Sequence, residues 1–487
     1  MSVTAPGTLV AATDRRAARH KTAVAVVYVA AIFLSTMDTT IVNVALPTIG
    51  RAYHVPTASV DSVSISYLVS LAVFVPASGW LGDRFGGKRT LLTAVAVFTA
   101  SSALCGIAGS LGELVAFRIL QGAGGGMLAS VGMAMLLRAY RQEERMRVSS
   151  VLTMAIALAP TAGPVLGGLL VTDLSWRWVF YVNIPIGIFA CIYGGLRLEN
   201  DHDLRGEHFD VTGFVLSAGG LGSAMYGISA GPSHGWTSTP VLAALSAGLV
   251  LLVAMAVVEL RSPAPVIDIR LARDRLFTAC SAAMTLESVG FLGALFVLSL
   301  YYQNGRGLSA LASGLSTAPE ALGVMCGSQL ASRLLYRRLG PRRHLIVGTL
   351  ASSTFMGLLA AAAGAPSLWW MRGDLVLMGL GVGQVFVATQ AAAFATIPPR
   401  SSGRASTMFN VGRRLGGALG VAVATTSLVL VGMPAKPGGG SGGGSGDFAA
   451  YQVAFLVAAA ANLLALWPAL YVRDEQARST VPAPRRA

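Results

Sequence analysis

Charge is scarce in this chain. Asp, Glu, Lys and Arg make up only 12% of its 487 residues, about half of what a soluble chain of this length needs to cover its surface. Histidine is scarcer. The six (His20, His54, His202, His208, His234, His344) fall in loops or at the ends of apolar stretches, so the sequence offers no His–carboxylate cluster for a metal or for acid–base catalysis. The four cysteines (Cys105, Cys191, Cys280, Cys326) lie within apolar stretches without metal-ligand spacing and read as packing residues. What abounds is apolar: 54% of the residues are hydrophobic, and the mean hydropathy is +0.64. The expected class is an all-α polytopic membrane protein.

Fourteen hydrophobic stretches begin near Thr22, Ser59, Thr90, Gly112, Arg147, Trp178, Val211, Thr239, Leu276, Ala310, His344, Gly373, Arg404 and Ala449. Each approaches the roughly 20 residues that cross a bilayer as a helix. With the N-terminus inside, Arg51, Arg177, Arg306, Arg372 and Lys436 fall outside and Arg118 within a span. The other thirty of the 36 basic residues fall inside, counting Arg413 and Arg414 at that boundary. That bias predicts cytoplasmic termini and accounts for the net charge of +14 without nucleic acid. The first stretch resembles a signal peptide in its basic flank, but it carries Asp38 and Asn43 and lacks a small-x-small cleavage site, so it reads as an uncleaved helix.

Polar loops divide the chain as six, two and six spans. The expected units are a tail (1–21), a six-helix bundle (22–198), a loop (199–210), two inserted helices (211–260), a loop (261–275), a second bundle (276–472) and a tail (473–487). A repeat supports this division: GDRFGGKRTLL from Gly82 and YRRLGPRRHLI from Tyr336 each put a basic, glycine-centred turn after the second helix of a half. The Gly/Ser run at 437–447 reads as a flexible outer loop, natural or engineered.

Four charges fall inside spans: Asp38, Arg118, Glu287 and Glu320. An ionisable group at that depth costs a few kcal/mol or more and ordinarily marks an ion path or a ligand counter-charge. At about 1.5 Å per residue, Asp38 lies roughly 24 Å up its span and Arg118 roughly 9 Å down its own, placing both in the outer half. They are candidates for a proton switch, or for a permanent structural bridge. Glu287 and Glu320, roughly 16 and 15 Å into their spans, are expected at the midplane. There they would raise each other's proton affinity, neutralise a cationic substrate, or serve polar helix contacts unrelated to transport. Gln384, Gln390 and Asn410 are further candidates for polar lining, and Arg413 and Arg414 read as the cytoplasmic mouth of their span.

Gly82–Lys88 has the spacing of a phosphate loop, but Arg89 stands where a Ser or Thr would hold magnesium, and no strand precedes it. ATP binding is not expected. The glycines suit a tight turn, and Asp83 suits a cap or an ion pair with a nearby Arg. Gly163-Pro164 in mid-span permits a kink, while Gly163, Gly167 and Gly168 offer a small packing face.

GWLGDRFGGKRTLL resembles the loop signature of the major facilitator superfamily. LVAFRILQGAGGG from Leu114 is similar to that superfamily's fourth-helix motif, and APTAGPVLGG from Ala159 to its antiporter motif, with Ala159 where glycine is usual. MDTTIVNVALP from Met37 and WRWVFYVNIP from Trp176 resemble the fourteen-span drug:proton antiporter branch. The resemblance implies the major facilitator fold and proton-driven export of lipophilic, cationic compounds from the inner membrane of a bacterial cell, and hence antibiotic resistance. It implies proton coupling at Asp38 and Arg118; Glu287 and Glu320 lie in no motif of that family and are proton-coupling candidates by their depth alone. Substrate binding is expected at Glu287, Glu320, Gln384, Gln390 and Asn410. Gating is expected at Asp83, Arg84, Gly163, Pro164, Gly167 and Gly168. The partners are then protons, a small lipophilic substrate and the bilayer, with no metal, cofactor, ATP or nucleic acid; a monomer would suffice. Export of one dedicated metabolite, proton-coupled uptake, and a membrane enzyme or sensor are the alternatives.

Overall fold

The protein is seen in a computed structural model that describes residues 6–55, 57–199, 210–263, 265–364, 367–398, 401–431, 448–477 and 480. The Gly/Ser run at 437–447, nearly all of the expected loop at 199–210 and most of the expected C-terminal tail lie outside the described residues, whereas residues 6–21 of the expected N-terminal tail belong to the first helix. Every long regular element among the described residues is helical. A chain in lipid must satisfy its backbone polar groups internally, and a helix does so within one segment.

The first half comprises α1 (Pro6–Tyr53), α2 (Thr57–Phe85), α3 (Gly87–Ile107), α4 (Leu111–Ala139), α5 (Gln142–Asp173), the single turn α6 (Trp178–Tyr181) and α7 (Asn183–Arg197). Two helices follow, α8 (Val211–His234) and α9 (Thr239–Glu259). The second half comprises α10 (Arg275–Leu300), α11 (Ala310–Leu330), α12 (Tyr336–Ala363), α13 (Leu368–Ala392), α14 (Ser402–Leu430), α15 (Ala449–Leu463) and α16 (Leu466–Leu470). By length and composition, twelve stretches among the described residues could cross a membrane. One of them, Leu311–Ala363, has 53 residues and joins α11 to α12 through a π turn at Ala331–Leu335. At roughly 80 Å of helix it is far too long for a single crossing. Its second helix bends at Gly340, which adopts φ 75°. The stretches exclude α14, a 29-residue helix containing Arg404, Arg413 and Arg414.

The repeat read from the sequence recurs in the backbone. Gly86, between α2 and α3, has φ 85° and ψ 146°; Gly340 has φ 75° and ψ 163°. Both conformations are open to glycine and strained for other residues. The helices that follow are gripped alike. Gly122, Gly124 and Gly126 of α4 lie against the backbone of α2 at Tyr67 and Leu71 and of α3 at Ala94 and Phe98. In α13, Gly379, Gly381 and Gly383 lie against α11 at Glu320 and Val324 and α12 at Gly348 and Ser352.

The halves meet where α5 packs on α11 and where α14 packs on α2 and α4. The inserted α8 lies across the second seam: Gly222 faces Val73 of α2, and the Trp236 indole donates to Thr426 Oγ1 of α14 at 2.8 Å. Its partner α9 turns Leu242, Leu249, Val250, Val253 and Val257 outward, a lipid-facing stripe. Trp369, Trp370 and Trp467 are exposed near helix ends, as in the aromatic belts of membrane interfaces.

Candidate functional site

Asp38, on α1, is completely buried, and Arg118, on α4, is 1% exposed. The Arg118 guanidinium donates from Nη1 to Asp38 Oδ2 at 2.5 Å and to Gln121 Oε1 at 2.7 Å, and from Nε to the Val63 carbonyl at 3.2 Å. The other carboxylate oxygen, Oδ1, accepts from Gln121 Nε2 at 2.9 Å and Asn183 Nδ2 at 3.0 Å. Both amides also donate to Ser102 Oγ, whose hydroxyl donates to the Phe180 carbonyl at 2.9 Å. The Arg118 guanidinium lies 4.0 Å from the centroid of the Tyr67 ring, a cation–π contact. Both Asp38 oxygens and the Nε and Nη1 of Arg118 therefore have hydrogen-bond partners, the kind of satisfaction a buried ion pair needs to be tolerated.

Local sequence explains the positions. Gln121 follows Arg118 by three residues and so shares its helix face. Pro185 cannot donate a backbone hydrogen bond, which suits the first turn of a helix; α7 starts afresh at Asn183, turning that amide toward Asp38. Gln121, Asn183, Ser102 and Tyr67 were not among the sequence candidates. The i+3 spacing from Arg118 pointed to Gln121, and the Asn-x-Pro of the quoted WRWVFYVNIP string pointed to Asn183.

Glu287 and Glu320 are both fully buried. With the Asn462 amide turned so that both its ends are satisfied, Asn462 of α15 donates to Glu287 Oε2 at 3.2 Å and accepts from Ser352 and Ser353 of α12 at 2.8 and 3.1 Å. Glu287 Oε1 has no partner, nor does either carboxylate oxygen of Glu320. No hydrogen bond joins Glu287 to Glu320 in this state, so the expected carboxylate pair is not a hydrogen-bonded one. Depth was read along each helix, but the direction each side chain faces depends on its helix's neighbours. Glu287 faces α12 and α15. Glu320 sits on the helix that packs against α13 and α5.

The lining candidates are buried too. Gln384 donates only to the Leu380 carbonyl at 3.2 Å; Gln390 is 4% exposed; Asn410 donates to the Ser406 carbonyl at 2.9 Å and accepts from Arg413 at 3.3 Å. Arg413 and Arg414 do not form the mouth of their span. They stand in mid-helix, roughly 18 Å along α14 from Ser402, and Arg414 Nη2 reaches Ser35 Oγ of α1 at 3.3 Å. Counting them at the membrane boundary was an error of segment edges.

Among the gating candidates, Asp83 is paired with Arg138 at the end of α4, while Arg84 is exposed and stands outside that ion pair. Gly403 of α14 lies against Gly79 and Asp83. Further cross-half bonds sit at the same end: Gln142 Nε2 to the Ala395 carbonyl at 2.8 Å, and Arg145 Nη1 to the Phe394 carbonyl at 3.0 Å. Gly163 and Gly167 are buried against Thr40, Ile41 and Val44 of α1. Pro164 and Val165 face Gly314 of α11, across the other seam, while Gly168 is half-buried.

Residues 28–421 match the profile of the Major Facilitator Superfamily. The multidrug resistance protein B homolog of Mycobacterium tuberculosis (strain ATCC 25618 / H37Rv) is 31% identical, over 93% of this chain and 90% of its own length. The tetracenomycin C resistance and export protein of Streptomyces glaucescens is 32% identical, over 80% of this chain and 73% of its own. The solved structure of the proton:xylose symporter XylE, bound to 6-bromo-6-deoxy-D-glucose, superposes with a TM-score of 0.61 at 13% identity, covering 92% of this chain and 94% of that one. At that identity the likeness is one of fold.

Proposed function

The chain belongs to the Major Facilitator Superfamily, a family of membrane transporters, and from that premise we propose that it is a proton-coupled antiporter exporting lipophilic compounds, cationic drugs among them. The setting proposed is the inner membrane of a bacterial cell, with fourteen crossings, the two halves and insert bounded as read from the sequence, and both termini cytoplasmic. The proton gradient replaces any cofactor, and a monomer suffices. Relatives named for multidrug resistance and for tetracenomycin export support the direction of transport.

The observation that carries the coupling is the Asp38–Arg118 network. Protonating Asp38 removes its charge, yet Arg118 keeps the Val63 carbonyl, Gln121 Oε1 and the Tyr67 ring. The arginine can thus lose its ionic partner without losing all its acceptors. A proton that changes the relative stability of two states shifts their populations; one that does not is uncoupled from transport. Glu287 and Glu320 would exchange further protons or meet a cationic group when another state exposes them, with Gln384, Gln390 and Asn410 lining the path. In the present state the Gln142 and Arg145 contacts latch the two halves at one end, the cytoplasmic end by its basic character; the Asp83–Arg138 pair, within the first half, holds the surface there against which Gly403 of α14 packs. Export of one endogenous product is the second reading, favoured by the relative named for tetracenomycin C.

The test is ethidium efflux from proteoliposomes under an imposed proton gradient. Wild type should respond to the gradient, and a folded Asp38→Asn variant should not. Unchanged gradient-driven efflux in that variant would remove Asp38 from the mechanism.

A further inference from the structure

Two adjacent arginines stand midway along α14 with no acid beside them. Neither Arg413 nor Arg414 forms an ion pair among the described residues. Their side-chain partners are neutral: Asn410 Oδ1 for Arg413 and Ser35 Oγ for Arg414, each at 3.3 Å. The Nε of Arg414 is buried without a partner. Tyr28 of α1 is within electrostatic reach of both guanidiniums, and both arginines are half-buried, so they keep some access. Asp38 is the nearest acid on the facing stretch of α1, but Arg118, Gln121 and Asn183 already occupy it.

Like charges side by side in an apolar interior repel, and each has lost its water. Such a pair calls for an anion. Lipid headgroups lie too far away to serve a mid-helix position, and among the described residues no acidic side chain pairs with either arginine. Guanidinium donors arranged as planar forks match carboxylate and sulfonate oxygens. The Tyr28 and Tyr67 rings on the facing helices are buried in this state, Tyr67 beneath Arg118, so an aromatic body would meet them only in a state that uncovers them.

We propose that Arg413 and Arg414 form a binding site for the acidic group of a lipophilic organic anion, an aromatic carboxylate or sulfonate. This rests on the export reading above and adds a second charge class, received at a site separate from Glu287 and Glu320. The site is tied to the proton pair: Ser35 Oγ, the acceptor for Arg414, lies 3.3 Å from the Tyr67 hydroxyl, and the Tyr67 ring carries Arg118. An anion that draws Arg414 from Ser35 alters the contacts of the residue on which Arg118 rests.

Equilibrium binding of radiolabelled 1-naphthoate and 1-naphthalenesulfonate to the purified full chain tests this. Both should bind wild type saturably, at least tenfold more weakly in Arg413→Gln/Arg414→Gln, and within about threefold of wild type in Arg413→Lys/Arg414→Lys. Neutral 1-naphthamide should compete poorly, and so should chloride or phosphate, which offer the charge without the aromatic body. Three results would overturn the proposal: no saturable binding of either probe to wild type, equal affinity in the glutamine variant, or displacement by chloride as effective as by unlabelled naphthoate. Gel filtration and the thermal midpoint establish that the variants fold. Should the double variant not fold, Arg413→Gln alone carries the comparison, with the same tenfold threshold. Ethidium efflux on the same preparations separates the two readings. Gradient-driven efflux without naphthoate binding sinks the anion site alone, and gradient-independent ethidium movement sinks the antiport.

Discussion

In the first half Asp38 meets a guanidinium and two amides; in the second, Glu287 meets one amide and Glu320 meets nothing. The helices concerned correspond. Asp38 and Glu287 lie on the first helix of their halves, Ser102 and Ser352 on the third, and Asn183 and Asn462 in the last membrane-length stretch of each. By the glycine contacts of α4 and α13, Glu320 occupies in the second half the place that Tyr67 holds in the first. One framework thus carries an acid fixed by its own cation and, on the other side, acids with no cation. A buried carboxylate without a cation lowers its cost by taking up a proton, whereas a paired one lowers it by keeping its partner. The halves are therefore expected to respond differently to the same kind of substitution.

The largest effect should come from Arg118→Met, which leaves the Asp38 charge buried with amides alone. A cost of about 3–5 kcal/mol is expected, read as a steep fall in the thermal midpoint in detergent. A loss below about 1 kcal/mol would mean that the pair holds nothing in place. In the other half, Asn462→Leu removes the amide donor to Glu287 and should cost about 1–3 kcal/mol. A loss as large as that of Arg118→Met would erase the contrast between the halves. Glu320→Met should go the other way, raising the midpoint by an amount equivalent to about 1 kcal/mol or more, because two unpartnered polar atoms leave the core. A fall there would reveal a partner that forms in another state. Smallest should be Asp83→Asn. That ion pair keeps 24% and 33% side-chain exposure, so its removal should shift stability by less than about 1 kcal/mol while loosening the packing of Gly403 on Asp83 and Gly79, which accelerated cysteine labelling at Gly79→Cys would register.

The buried charges were legible because so few charged residues occur in the spans; depth along each helix put Asp38 and Arg118 at one level. Their amide partners were harder to see, since Gln and Asn are unremarkable in a span until a charge nearby needs them. Facing direction was not legible at all. Counting along the helices puts Glu287 and Glu320 at one depth, yet they lie on helices with different neighbours. Arg413 and Arg414 were misplaced for another reason: charge was used to find the membrane boundary, and α14 carries its charge in the middle. The repeat was legible as a degenerate turn, and it proved to be a shared backbone conformation at Gly86 and Gly340.

The glycine rows of α4 and α13 have a mechanical consequence. Each row seats its helix backbone-to-backbone on two neighbours, leaving no long side chains to flex between them. Close-packed interiors resist compression, so each half should move as a stiff plate. Compliance is then confined to the seams, where hydroxyls, an amide and single guanidiniums bridge the plates. The inserted α8 lies along one of these seams like a strap over a joint, where it would set how far the plates can part.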